Sequence, residues 1–225
     1  IWIDSSDKLW ISAAKLILPY WLQSQGFSAL KEKSERNSSD EKSILKAKSL
    51  IGDLEPKSLI VYLGHGSSSG LYEPDDTFEY KKYFLDATWA NYYFDEHDIF
   101  LLSCKSSDFI KKIYKPNFSL GFGNIISSEE ELKHHNKYSD LKKILNKDEI
   151  NIFNDIYVEC SIKIIKLLIN EKIRFIDIPK YFRFYLNKEI NRILLNKENK
   201  NRIELSRLVF ELRNQILIKQ NLRAW

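Results

Sequence analysis

The stretch Leu59-Ile60-Val61-Tyr62-Leu63-Gly64-His65-Gly66 runs five apolar or aromatic residues into two glycines that flank a histidine. A second stretch, Ile99-Phe100-Leu101-Leu102-Ser103-Cys104, carries a similar run into a small residue and a thiol. Unbroken apolar runs of this length, closed by small residues, read as strands of a parallel sheet buried on both faces. Such sheets gather their chemistry at the carboxyl ends of the strands. If these two strands are neighbours, an imidazole and a thiol face each other across one sheet edge, the pair that a thiol nucleophile and its base require.

Working outward, Ile1 to Ile3 reads as another strand, and Ser6 to Gln25 as a helix with Leu9, Ile11, Ala14, Leu16, Ile17 and Trp21 apolar, closed by Gly26. Lys31 to Asp40 is polar and serine-rich, the composition of a surface loop. A second helix over Asp40 to Ile51 leads through Gly52 and Pro56 into the strand before His65. This alternation of strand and helix favours a parallel sheet covered by helices. Gly66 to Asp98, rich in Tyr and Phe, reads as a long loop at the carboxyl edge. After Cys104 come a short helix, Ser107 to Tyr114, and a strand, Ser119 to Ile126, whose Gly121 and Gly123 suit a close approach of another backbone or a ligand.

All seven glycines fall within the first 123 residues, so the chain changes character near the charged stretch Ser127 to Asp148. Beyond it the pattern predicts three helices, Lys147 to Asn170, Pro179 to Leu195 and Asn201 to Leu222. Phe153, Ile156, Tyr157, Cys160, Ile164, Leu167 and Leu168 form an apolar stripe on the first, and Leu205, Leu208, Leu212 and Ile216 on the last. The expected organisation is residues 1–127 as an α/β part and 128–225 as a mainly helical part packing on it.

Composition sets outer bounds. At 225 residues with 44% apolar and 29% charged content, the chain suits a globular protein with a sizeable core. No apolar run is long enough for a membrane span, and no membrane association is expected. The start Ile1-Trp2-Ile3-Asp4 lacks the basic region and cleavage site of a signal peptide. Two cysteines in different contexts do not make a disulfide framework. Together these predict a cytoplasmic protein, in a compartment that keeps a thiol usable. Net charge is +4, yet residues 171–225 hold 13 Lys and Arg against 6 Asp and Glu. The positive residues alternate with apolar ones, so a solvated helix face is preferred to a nucleic-acid surface.

A thiol attacks only as the thiolate, so Cys104 needs a base and partial access to solvent. His65 supplies the proton acceptor, and the helix start at Ser106-Ser107-Asp108 offers unpaired amides that favour negative charge. The backbone N–H groups of Gly66 and Cys104 would meet the oxyanion of a tetrahedral intermediate, the glycine allowing close approach and unusual dihedrals. Beside this, the bland reading is a core cysteine and a turn histidine.

With Tyr62-Leu63-Gly64-His65-Gly66 followed by Leu101-Leu102-Ser103-Cys104-Lys105-Ser106, residues 1–127 resemble the caspase-like cysteine peptidases. Ser103-Cys104-Lys105-Ser106 departs from the Gln-Ala-Cys-x-Gly signature of true caspases, which turns the resemblance toward a prokaryotic, CHAT-like branch. It implies an α/β fold, a caspase-like mostly parallel sheet flanked by helices with a helical C-terminal extension. It also implies a cysteine endopeptidase with a His65–Cys104 dyad and no cofactor or metal, acting on a protein substrate, with a regulatory partner protein and a setting in antiphage defence or regulated cell death. Relatives specific for basic residues place an acid after the first strand, where this chain has Asp4. That residue reads equally as the N-cap of the next helix. Asp75, Asp76 and Asp108 are further candidates for the same substrate-binding pocket.

Other patterns lead elsewhere. Gly66-Ser67-Ser68-Ser69-Gly70 has the letters of a nucleophile elbow but no helix start behind it, and reads as a flexible loop. His134-His135 lack a third ligand in helical register, Cys160 belongs to an apolar stripe, and His97 beside Asp95, Glu96 and Asp98 reads as a solvated surface group. The alternative to an enzyme is a non-catalytic caspase-like interaction module that binds a partner protein or nucleic acid through the basic helical part.

Overall fold

The computed structural model of the chain describes residues 2–3, 41–75, 79–138 and 142–221. The helix expected over Ser6 to Gln25, the loop to Asp40, Asp4 and Asp76 lie outside them. The chain divides into two compact units: the described residues up to Gly123 together with those from Ile216 onward, and Asn124–Gln215.

The first unit is an α/β sheet. Strand β1 (Trp2–Ile3) is followed by helix α1 (Glu41–Gly52), strand β2 (Leu59–Leu63), a hairpin of β3 (Gly70–Tyr72) and β4 (Tyr83–Asp86), and helix α2 (Ala87–Tyr93). Strand β5 (Asp98–Leu102), helix α3 (Ser106–Phe109) with a 3-10 turn over Ile110–Lys112, and strand β6 (Phe118–Gly121) complete the run. The sheet order is β1-β2-β5-β6-β7, the first four parallel and β7 (Leu217–Gln220) antiparallel to β6. The register of β2 on β5 is unbroken from Leu59↔Asp98 to Leu63↔Leu102.

Side chains alternate across this sheet, and both sets are apolar. Ile60, Tyr62, Ile99 and Leu101 join Ile44, Ala47 and Ile51 of α1 and Phe109, Ile110 and Ile113 in one buried cluster. Val61, Leu63, Phe100 and Leu102 fill the other face, where the Phe100 and Phe122 rings lie 5.9 Å apart. Burial on both faces is why these strands read as continuous apolar runs.

Three expectations are corrected. Gly66 to Asp98 is not one loop: Leu71, Phe84 and Leu85 are buried, which makes the hairpin worth forming, and Asp86 accepts the Trp89 N–H at 2.9 Å to cap α2. The strand expected to reach Ile126 ends at Gly121. Beyond it the Phe122 backbone turns to Ser106 and Ser107, with Phe122 N–H on Ser106 Oγ and Ser107 N–H on the Phe122 carbonyl, each at 2.8 Å. The last helix stops at Asn214 rather than Leu222, and the chain enters the sheet as β7. There Lys219 donates to the Ile113 carbonyl at 2.6 Å and Asn221 to that of Pro116 at 2.8 Å, which anchors the strand.

The second unit is helical: α4 (Glu129–Tyr138), α5 (Lys147–Ile169), α6 (Ile178–Leu195) and α7 (Arg202–Asn214). Asn146 and Glu149 form a reciprocal capping box at the start of α5. Phe153, Ile156, Tyr157, Cys160 and Ile164 of the expected stripe are buried, as are Leu205, Leu208 and Leu212 on α7. Lys143 is buried and its ammonium sits 2.5 Å from Glu211, the pairing that a buried charge needs. Among the described residues no helix is long and apolar enough to cross a membrane.

Two predictions follow from the sheet. A Cβ at Gly121 would fall 2.5 Å from the Ser106 carbonyl carbon and oxygen and 2.6 Å from the Ser107 nitrogen, all backbone. Gly121→Ala should therefore destabilise the protein by about 1–3 kcal/mol, measured by urea unfolding. Burial raises the Asp98 carboxyl to about 6 against the opposing Phe118 N–H, so the folded state holds its proton more tightly than the unfolded chain. That stabilisation is complete below about pH 4 and lost as pH rises through 6, so wild type should lose about 1–2 kcal/mol relative to Asp98→Asn between pH 4 and 7. Urea midpoints at both pH values check it.

Candidate active site

The last paired residues of β2 and β5 are Leu63 and Leu102. Equal numbers of residues then separate each strand end from its reactive group, so Gly64-His65 and Ser103-Cys104 leave the sheet side by side at the carboxyl edge. Gly64 N–H still reaches the Leu102 carbonyl at 3.4 Å. At the next step Gly66 lies directly against the Ser103-Cys104 turn. A Cβ there would fall 2.8 Å from Ser103 Oγ, 3.2 Å from its Cβ and 3.3 Å from the Cys104 carbonyl oxygen. The requirement for glycine is therefore space; the expected unusual dihedral is not what this position uses.

Gly66 also bridges Leu71 of the hairpin in antiparallel fashion, and the donors of that bridge are Ser67 N–H to the Gly70 carbonyl (2.9 Å) and Tyr72 N–H to the His65 carbonyl (3.0 Å). The Gly66 N–H is not spent in the bridge.

On the other side, Lys105 adopts a left-handed backbone, φ 56°, and turns the chain sharply from Cys104 into α3. Its N–H bonds the Gly123 carbonyl at 2.8 Å. Ser106 Oγ shares its proton between the carbonyls of Leu101 (2.9 Å) and Ser103 (2.7 Å). The helix start does not offer its amides to a thiolate as expected. Ser106 N–H goes to Ser103, Ser107 N–H to Phe122, and those of Asp108 and Phe109 to Lys105. One turn of helix also carries little macrodipole.

The two thiols differ. Cys104 is partly exposed. Cys160 is 1% exposed, and burial pushes its thiol up to about 12, which makes it inert at neutral pH.

His65 is 8% exposed. The Tyr62 hydroxyl, rising from the core, donates to the His65 carbonyl (2.8 Å) and the Tyr72 carbonyl (2.9 Å). The imidazole meets the Tyr80 ring at 4.4 Å between centroids and 31° between planes. Tyr80 meets Tyr72 at 5.3 Å, and Tyr72 stacks on Tyr83 at 4.9 Å. Three tyrosine rings thus follow one another from the histidine. Burial holds the Tyr72 phenol above its usual value, the Ser67 hydroxyl offsets part of this, and Tyr83 and a negative Cys104 add to it. Tyr80 has a left-handed backbone, φ 47°, which for a bulky residue costs of order 1–3 kcal/mol. None of the three tyrosines was singled out by sequence; the aromatic richness of 66–98 was the only signal.

Of the acidic candidates, Asp75 and Asp108 lie within the described residues. Asp75 accepts the Tyr80 N–H through Oδ2 at 2.8 Å, and exposed Asp108 pairs with Lys111 at 2.7 Å. His97 is corrected from a surface group: it is 5% exposed at the opposite, amino-terminal edge, lining a cleft of about 220 Å³ with Tyr92, Tyr93 and Asp95. Burial lowers its pKa against the opposing carboxylates of Asp95 and Glu96. Among the described residues no cluster of three His, Cys, Asp or Glu side chains has the geometry to hold a metal ion.

Comparison with family models, curated proteins and solved structures gives no match. A partly exposed thiol and a buried imidazole leave one sheet edge side by side, with Gly66 against the same turn, and these are the residue types that a thiol nucleophile and its base use.

Iodoacetamide at neutral pH should alkylate Cys104 in the native protein and Cys160 only after unfolding, read by peptide mass spectrometry. Equal native labelling of both would contradict the burial difference.

Proposed function

We propose that this chain is a cysteine endopeptidase of the caspase-like type, with His65 and Cys104 as its dyad. The observation that carries the reading is the unbroken parallel register ending at Leu63↔Leu102, together with Gly66 pressed on Ser103 and Cys104. The imidazole takes the thiol proton, the thiolate adds to the scissile carbonyl, and the oxyanion lies toward the N–H groups of Gly66 and Cys104. The imidazolium returns the proton to the leaving amine, and water then hydrolyses the thioester. This sequence needs no metal or cofactor. Cleavage after a basic residue, with a carboxylate such as Asp4 at the pocket base, belongs to the same reading. So does a regulated protein substrate in antiphage defence or cell death.

The burial of His65 under Tyr80 favours one second reading, a non-catalytic module that keeps the sheet and binds a partner. A peptide library varying Arg, Lys, Asp and Asn before the scissile bond separates the two. The enzyme reading expects turnover after Arg or Lys, its loss by at least a thousandfold in Cys104→Ala, and a weaker basic preference in Asp4→Ala. Turnover equal to wild type in Cys104→Ala would end it, and a preference for Asp would remove the basic pocket.

A further inference from the structure

We propose that Tyr80 is the positioning residue for His65: its ring, with its centroid 4.4 Å from that of the imidazole at a 31° tilt and its amide held by Asp75 in a left-handed backbone, sets the orientation in which the imidazole meets the Cys104 thiol. This rests on the dyad reading above and extends it to the loop between the hairpin strands.

A β-branched or aromatic residue at positive φ persists only where its surroundings over-determine it. Two independent contacts do so here. The Asp75 carboxylate fixes the Tyr80 N–H at 2.8 Å, and the ring is in contact with those of His65 and Tyr72. Relaxing the backbone would swing the ring off the imidazole. The strain is thus spent on the face of one particular side chain.

The His65 main chain is already held by Tyr62 and Tyr72 through its carbonyl. Those bonds fix the Cα but leave rotation about the side-chain bonds. The Tyr80 ring restricts that freedom, since an imidazole whose centroid lies 4.4 Å from that of a second ring cannot turn without either losing the contact or colliding with it. Asp75, expected to line a substrate pocket, acts in this arrangement through Tyr80.

Hydroxyl chemistry has no part in the argument, so Tyr80→Phe should behave as wild type. Tyr80→Asn tolerates positive φ while deleting the ring. The experiment is the pH dependence of Cys104 alkylation by iodoacetamide in the full chain, with the thermal midpoint measured alongside. Wild type and Tyr80→Phe should show the same acid limb. In Tyr80→Asn the alkylation rate at pH 6–7 should fall at least tenfold and the profile move toward that of His65→Ala, with the thermal midpoint unchanged or higher. An unchanged profile in Tyr80→Asn, or an effect of Tyr80→Phe as large as that of Tyr80→Asn, overturns the proposal while leaving the dyad intact. If His65→Ala itself leaves the wild-type profile unchanged, the dyad reading fails and this proposal with it. Should Tyr80→Asn not fold, Asp75→Asn, which keeps an acceptor, should match wild type and Asp75→Ala should show the Tyr80→Asn profile; a wild-type profile in Asp75→Ala overturns the clamp.

Discussion

The parallel register of β2 on β5 is the constraint on which the rest depends. Side chains alternate with a period of two, so a slip of one residue would move Ile60 and Tyr62 out of the cluster they share with α1 and replace them with Val61 and Leu63. The packing of both faces therefore selects one register. That register also sets His65 and Cys104 two residues beyond the same paired position. Their juxtaposition costs nothing beyond core packing.

Backbone space then decides what the turns can be. Gly66 lies on the Cys104 turn, and Gly121 lies on the helix that follows it, so two glycines clamp that turn from two neighbouring strands. Ser106 is the tie between them. Its hydroxyl reaches the carbonyls before the turn and accepts the N–H of Phe122 after β6. A thiol held this way is placed by strands rather than by a mobile loop, which is the condition for geometry to survive thermal motion.

Much of this was legible in the sequence because it follows from periodicity. The strands before His65 and Cys104, the helix ending at Gly52, the α5 and α7 stripes and the close approach at Gly121 all carry a local signal. What was missed depends on pairing across distance. The residues of β7 look like the end of a helix until β6 supplies a partner, and β3 and β4 are three and four residues long, too short for alternation to register. His97 sits among acids that suggest solvent, yet its ring is covered by chain far away in sequence. Tyr80 had only the aromatic richness of its stretch as a signal, since neither its φ nor its neighbour in space is written locally.

Positive φ outside glycine occurs at both edges of the sheet, and the difference between them is instructive. Lys57 and Glu96 precede β2 and β5 at the amino edge, and they satisfy each other through a Lys57 N–H to Glu96 carbonyl bond at 2.9 Å, a purely backbone solution to starting two strands together. Lys105 at the carboxyl edge is likewise held through its N–H by the Gly123 carbonyl. Tyr80 is held instead by a carboxylate on its amide and by contacts of its ring with those of His65 and Tyr72. A turn alone needs no aromatic side chain, and Gly or Asn would adopt this backbone at lower cost. The tyrosine makes sense where its ring is required, and the ring it faces is the imidazole of His65.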